Sequence, residues 1–82
     1  MPRLRRLNGA EVVRIFEQLG FEVIRIRGSH HIIRRTINNE TQTMNIPAHG
    51  SQQVALGTLK RIYRDAQRYV TEADLKSHFY SD

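Results

Sequence analysis

The chain contains no cysteine, which excludes disulfide staples and thiolate metal sites. A chain of 82 residues must then be held together by one small hydrophobic core, because a domain this short buries only about 60% of its unfolded surface. No apolar run approaches the roughly 18 residues that a membrane-spanning helix requires. The basic start, PRLRR, is not followed by the apolar stretch of a signal peptide, so a cytoplasmic protein with no membrane partner is expected. Lysine is scarce too, with Lys60 and Lys76 the only two. From residue 23 to residue 39 there is no acid at all.

What is present is arginine. Thirteen Lys+Arg against eight Asp+Glu give a formal charge of +5, which suits a polyanionic partner. Guanidinium forks match phosphate oxygens in pairs and stack on bases, so the bias towards arginine points to nucleic acid ahead of an acidic protein. A merely solvated basic surface would give the same totals.

The order of elements can be read along the chain. Residues 1–6 look like a loose basic arm at the start of a single domain, 1–82. Asn8 and Glu11 form a capping-box pair, with Leu7 and Val12 placed as a hydrophobic staple. Val12, Ile15, Phe16 and Leu19 recur at helical spacing, and Gly20 sits where a left-handed terminal residue is wanted. A helix over about residues 9–19 is predicted. EVIRIR at 22–27 and HHIIRRTI at 30–37 read as strands, separated by a Gly28-Ser29 turn. Asn38-Asn39-Glu40 is turn chemistry, and QTMNI at 42–46 makes a third strand that Pro47 ends. After a loop at 48–54, Leu59, Ile62, Tyr63 and Ala66 mark the apolar face of a second helix, and Thr71 with Asp74 caps a short last one through about Phe79. The predicted fold is α+β: a two-layer sandwich of order α-β-β-β-α plus a short C-terminal helix, with the topology of a double-stranded-RNA-binding domain (dsRBD-like).

The stretch RGSHHIIRR, residues 27–35, concentrates the chemistry. Strand side chains alternate between faces. His30, Ile32, Arg34 and Thr36 therefore share one face, and His31, Ile33, Arg35 and Ile37 the other. Ile33 and Ile37 mark the second set as the core face, which turns His30 to solvent. A pair of surface histidines on an ordinary strand is the plain alternative. Against it stand Gly28 and Ser29, which permit a close backbone approach beside the imidazoles, and the crowding of Arg25, Arg27, Arg34 and Arg35 around them.

Imidazole, with an ordinary pKa of about 6.5, is the natural proton carrier at neutral pH. RNA brings its own nucleophile, the 2′-OH, and a base that removes its proton starts attack on the adjacent phosphorus. The products would be a 2′,3′-cyclic phosphate and a 5′-OH, with no metal or other cofactor required. DNA lacks that hydroxyl, so the site would not cut it this way, and no stable DNA binding is expected. A metal site fits poorly: His30, His31, His49 and His78 are four possible ligands, but the adjacent pair points opposite ways on a strand and no carboxylate accompanies them at ligand spacing. Candidate catalytic residues are His30 and His31. Candidate RNA contacts are Arg25, Arg27, Gly28, Ser29, Arg34 and Arg35, with His49, Lys60 and Arg61 beyond the strands. Lys60 and Arg61 lie near the start of a helix, where the dipole disfavours cations, which suggests a partner there.

Gly20-Phe21, the Arg-x-Arg-Gly-Ser-His-His run at 25–31, Pro47-x-His49, Gly57-Thr58-Leu59 and Ile62 followed by Ala66 together resemble the HicA toxins, small messenger-RNA interferases of type II toxin–antitoxin systems. The similarity runs from about Asn8 to Ala66, with a family-like tail to about Phe79. The resemblance implies a dsRBD-like fold, endoribonuclease action on messenger RNA, and neutralisation by a HicB-type antitoxin protein; that partner is expected to cover His30, because masking the site is the direct way to silence so small an enzyme. It places the family's catalytic histidine at His30, with His31 the alternate, its turn glycine at Gly28 and its small polar neighbour at Ser29. The chain departs from the family where Gln67-Arg68 replaces the glycine common after the second helix, and in the absence of lysine from 48–54. A non-catalytic RNA-binding module of the same fold is the competing expectation.

Overall fold

The structure is a computed structural model that describes residues 2–81. Its elements run β1 (Arg3–Leu4), α1 (Gly9–Gln18), β2 (Glu22–Arg27), β3 (His30–Ile37), β4 (Glu40–Pro47), α2 (Leu56–Ala66), α3 (Glu72–Phe79) and β5 (Tyr80–Ser81). The α-β-β-β-α order with a short final helix is the one the pattern predicts. β2, β3 and β4 form an antiparallel sheet in that order, and the buried faces of α1 and α2 share one core with it.

The first helix starts where the capping box requires. The Glu11 amide donates to Asn8 Oδ1 and the Asn8 amide to Glu11 Oε1, both at 2.8 Å. It stops at Gly20, whose φ of +96° is a conformation a Cβ would oppose. The Phe21 amide turns back to the Phe16 carbonyl at 2.9 Å. That closure also brings the Phe21 ring edge-on to Phe16, with centroids 5.7 Å apart. Phe79 from α3 meets Phe16 at 5.9 Å and Tyr63 of α2 at 5.5 Å, so aromatic edges join all three helices at the centre.

Two tight turns set the register of the sheet. Gly28 has φ +60° and Arg27 pairs with His30, a two-residue hairpin that places glycine first, as a type II′ turn requires. Asn38 and Asn39 have φ values of 52° and 65°, the pattern of a type I′ turn. The turn is therefore shorter than expected: Glu40 is already in β4, paired with Ile37. Pro47 lies inside the strand, opposite His30, and it is tolerated because β4 is an edge.

Two expectations are corrected. The start of the chain is not loose: Arg3 and Leu4 pair with Ser81 and Tyr80, the Arg5 amide donates to the Phe79 carbonyl at 2.8 Å and Arg5 Nη1 to the His78 carbonyl at 2.8 Å. Leu4 packs against the core, and this apolar contact with the tail outweighs the freedom of a charged arm. Met1 lies outside the described residues. Ile37 is 42% exposed although it shares the core face of β3, because it sits at the hairpin end where the helices no longer cover the sheet.

Candidate active site

β3 divides its side chains as alternation demands. Ile33 is fully buried and pairs with buried Met44, and the pairs His31–Ile46 and Arg35–Gln42 lie on the same covered face. His30, Arg34 and Thr36 are exposed on the other. Arg25 and Arg27 of β2 stand opposite Ile32 and His30, so they join the open face.

The ring of His30 is not free to swing. Its Nδ1 lies 3.1 Å from Asn45 Oδ1. Asn45 is a diagonal neighbour, two residues back along β4 from Pro47 and on the same face. An amide oxygen accepts and does not donate, so His30 Nδ1–H donates to it. The neutral ring then carries its lone pair on Nε2, the nitrogen away from Asn45. The Gly28-Ser29 turn that starts the strand is itself anchored: the Ala48 amide donates to the Ser29 carbonyl at 2.7 Å.

Two grooves meet at this imidazole. One, of about 350 Å³, is bordered by Arg25, Arg27, His30, Ile32 and Asn45. The other, of about 420 Å³, shares His30, Ile32 and Asn45 and passes over β4 to α2, where Arg61 and Asp65 border it together with Arg68 of the turn beyond the helix. Among the described residues the one ion pair is Arg64–Asp65, at 3.9 Å. Arg25, Arg27 and Arg61 therefore present uncompensated charge to whatever occupies the grooves, and Arg34 adds exposed charge to the same face of the sheet.

Several expected residues lie elsewhere. Arg35 does not belong to the arginine cluster at the histidine turn. It points to the covered face, where Nε donates to Gln42 Oε1 at 2.6 Å, Nη1 to the Leu19 carbonyl at 2.7 Å and Nη2 to the Tyr69 carbonyl at 2.8 Å. Its guanidinium also lies 4.7 Å from the Phe21 ring centroid. Burial lowers its pKa from the ordinary arginine value, with the charge of Asp74 acting in the opposite direction. Arg35 thus ties the end of α1 to the turn between α2 and α3. His31 is half-buried, and its Nδ1 is enclosed without a hydrogen-bond partner among the described residues. His49 is exposed and borders a separate groove of about 260 Å³ with Gln52, Gln53 and Thr58. Its loop is held by α1, whose Gly9 and Ala10 amides donate to the Gln52 and Gly50 carbonyls. Lys60 is exposed but borders neither groove at His30, whereas Arg61 borders the larger.

Sequence reasoning missed Asn45, Asp65 and Arg68. Alternation already places Asn45 on the open face, but only the register brings it to His30. Nothing local marks Asp65 and Arg68, because their relation to the sheet depends on how α2 packs. Among the described residues no helix is long and apolar enough to cross a membrane, and no group of three or more potential His, Asp or Glu ligands converges.

A family model described as HicA toxin of bacterial toxin-antitoxin matches residues 9–67, a span that includes the smaller groove, all of the larger one except Arg68, and the two hairpin turns. Neither a curated protein nor a solved structure matches the chain.

Proposed function

Because the chain belongs to the HicA family of bacterial toxins of toxin–antitoxin systems, we propose that it is an endoribonuclease that cleaves messenger RNA with His30 as general base. The observation that carries this reading is the His30–Asn45 contact, which leaves the basic nitrogen of an exposed ring facing a cationic groove. His30 Nε2 takes the proton of a ribose 2′-OH, and the 2′ oxygen attacks the neighbouring phosphorus. The bond from phosphorus to the 5′ oxygen breaks. Products are a 2′,3′-cyclic phosphate and a 5′-OH.

Arg25 and Arg27, opposite Ile32 and His30 across the β2–β3 ladder, meet the charge that gathers on the phosphorane. Arg34 extends the cationic face along β3, and Gly28 and Ser29 keep the backbone bend beside the ring. The leaving 5′ oxygen takes its proton from groove water, since His31 turns to the covered face and His49 borders another groove. His30 then returns its proton to solvent, so the site is restored without a metal or cofactor. Attack requires the 2′ oxygen, phosphorus and 5′ oxygen in line, so a flexible single strand is the substrate form. The enzyme acts on cytoplasmic messenger RNA. A HicB-type antitoxin silences it by covering His30, the direct way to mask so exposed a base.

The test is incubation of purified protein with single-stranded RNA in EDTA, followed by analysis of the new ends. Cyclic phosphate and 5′-OH ends are expected, and adding the antitoxin should abolish cutting. A wild type that binds RNA and never cuts it would make this a non-catalytic RNA-binding module. Ends bearing 3′-OH and 5′-phosphate would remove the 2′-OH mechanism.

A further inference from the structure

The larger groove contains groups that the cleavage step does not use. Its floor includes Met44 and Ile62, which are 5% and 2% exposed. The wall opposite the sheet carries Arg61 and Asp65 of α2 and Arg68 of the turn that follows it. Both grooves share His30, Ile32 and Asn45, so a strand cut at His30 sends one neighbouring nucleotide towards Arg25 and Arg27 and the other towards α2.

Asp65 is the anomaly on that path. A carboxylate repels phosphate, so a groove that only tracked the backbone would be better without it. Asp65 is also the penultimate residue of α2, where the negative end of the helix dipole disfavours an acid. Its one ion pair among the described residues is the 3.9 Å contact with Arg64, whose side chain is 74% exposed, and exposed pairs contribute little. That exposed pair does little to offset these two penalties.

Resting on the ribonuclease reading above, we propose that the β4–α2 groove is a nucleobase subsite in which Asp65 selects guanine in the nucleotide adjoining the cut. An ionised carboxylate only accepts hydrogen bonds. The pairing edge of guanine offers two parallel N–H groups, which match its two oxygens. Adenine and cytosine set a ring lone pair beside their amino group, and uracil offers a single N–H. The base lies over Met44 and Ile62 with its edge towards Asp65. Arg61, whose side chain has no hydrogen-bond or ion-pair partner among the described residues, holds the phosphate. Arg68 is braced by its Nε bond to the Asp65 carbonyl at 3.2 Å and by the Tyr69 ring, 5.1 Å away, and adds charge to the same wall.

The experiment is end mapping of randomised single-stranded RNA cut by the wild type and by Asp65→Ala. Guanine should be enriched at one position beside the wild-type cuts, and the enrichment should vanish in Asp65→Ala. In a defined oligonucleotide, replacing that guanine by inosine, which lacks the amino group, should slow the wild type about tenfold, as expected for loss of one hydrogen bond to a charged group, and leave Asp65→Ala unchanged. Cutting without base preference, or a preference that survives Asp65→Ala, overturns the subsite and leaves the His30 chemistry standing. Absence of cutting overturns both. Should Asp65→Ala fail to fold, the inosine comparison on the wild type decides alone.

Discussion

His30 and Arg34 occupy the open face of β3, while His31 and Arg35 occupy the face under the helices. Each pair consists of chemically identical side chains one residue from its twin, yet their surroundings differ completely. His30 has one amide partner, while Arg34 has no partner among the described residues. His31 encloses an unpaired nitrogen, while Arg35 gives three hydrogen bonds to neutral oxygens of the sheet, the end of α1 and the turn before α3. Burial converts a group suited to binding an anion into a structural tie, and the charge that makes Arg34 useful to a ligand makes Arg35 costly to leave unsatisfied.

Substitution of the two histidines should break the symmetry most sharply. His30→Ala is expected to lower RNA cleavage by 10²–10⁴-fold, the usual contribution of a general base, with the melting temperature little changed. His31→Leu is expected to retain cleavage and to match or exceed wild-type stability, because it removes an unsatisfied buried polar atom. An active His30→Ala paired with an inactive, folded His31→Leu would reverse the assignment.

The arginines form the next contrast. Arg35→Ala leaves the Leu19 and Tyr69 carbonyls without their donor and should cost about 2–4 kcal/mol in denaturant unfolding. Arg34→Ala should change stability by no more than about 0.5 kcal/mol. It should instead weaken RNA binding and reduce the salt slope by roughly 0.7–1. Equal stability losses in the two variants would dissolve the distinction between the faces.

Asn45→Ala sharpens the open face alone. Loss of one neutral hydrogen bond, about 1 kcal/mol, should lower kcat roughly fivefold while KM and folding stay near wild type. A rise in KM with unchanged kcat would make Asn45 an RNA contact instead of a holder of the ring.

The smallest effect belongs to the covered side. Burial first, then the charge of Glu72, holds the Tyr63 hydroxyl above its ordinary pKa of 10.0; its oxygen lies 3.4 Å from Glu72 Oε2. A raised pKa gives stability that is present below about pH 10 and lost as pH rises through the folded value. The melting temperature should therefore fall slightly above about pH 10, and Tyr63→Phe should remove that part of the decline.

Local chemistry in the chain was sufficient for the elements and for the split of β3. Asn8 with Glu11 starts α1, Gly20 stops it, Gly28-Ser29 turns the first hairpin, and strict alternation sends His30 outward and His31 inward. These are short-range effects of sterics, capping and a period of two, so a few neighbouring residues determine them. Tertiary structure alone decided that Arg35 is a tie, that Asn45 meets His30, that Asp65 and Arg68 border the same groove, and that the basic start pairs with Tyr80–Ser81. Each of these joins residues far apart in the chain through strand register or helix docking, which the packing of the whole core selects and no local pattern encodes.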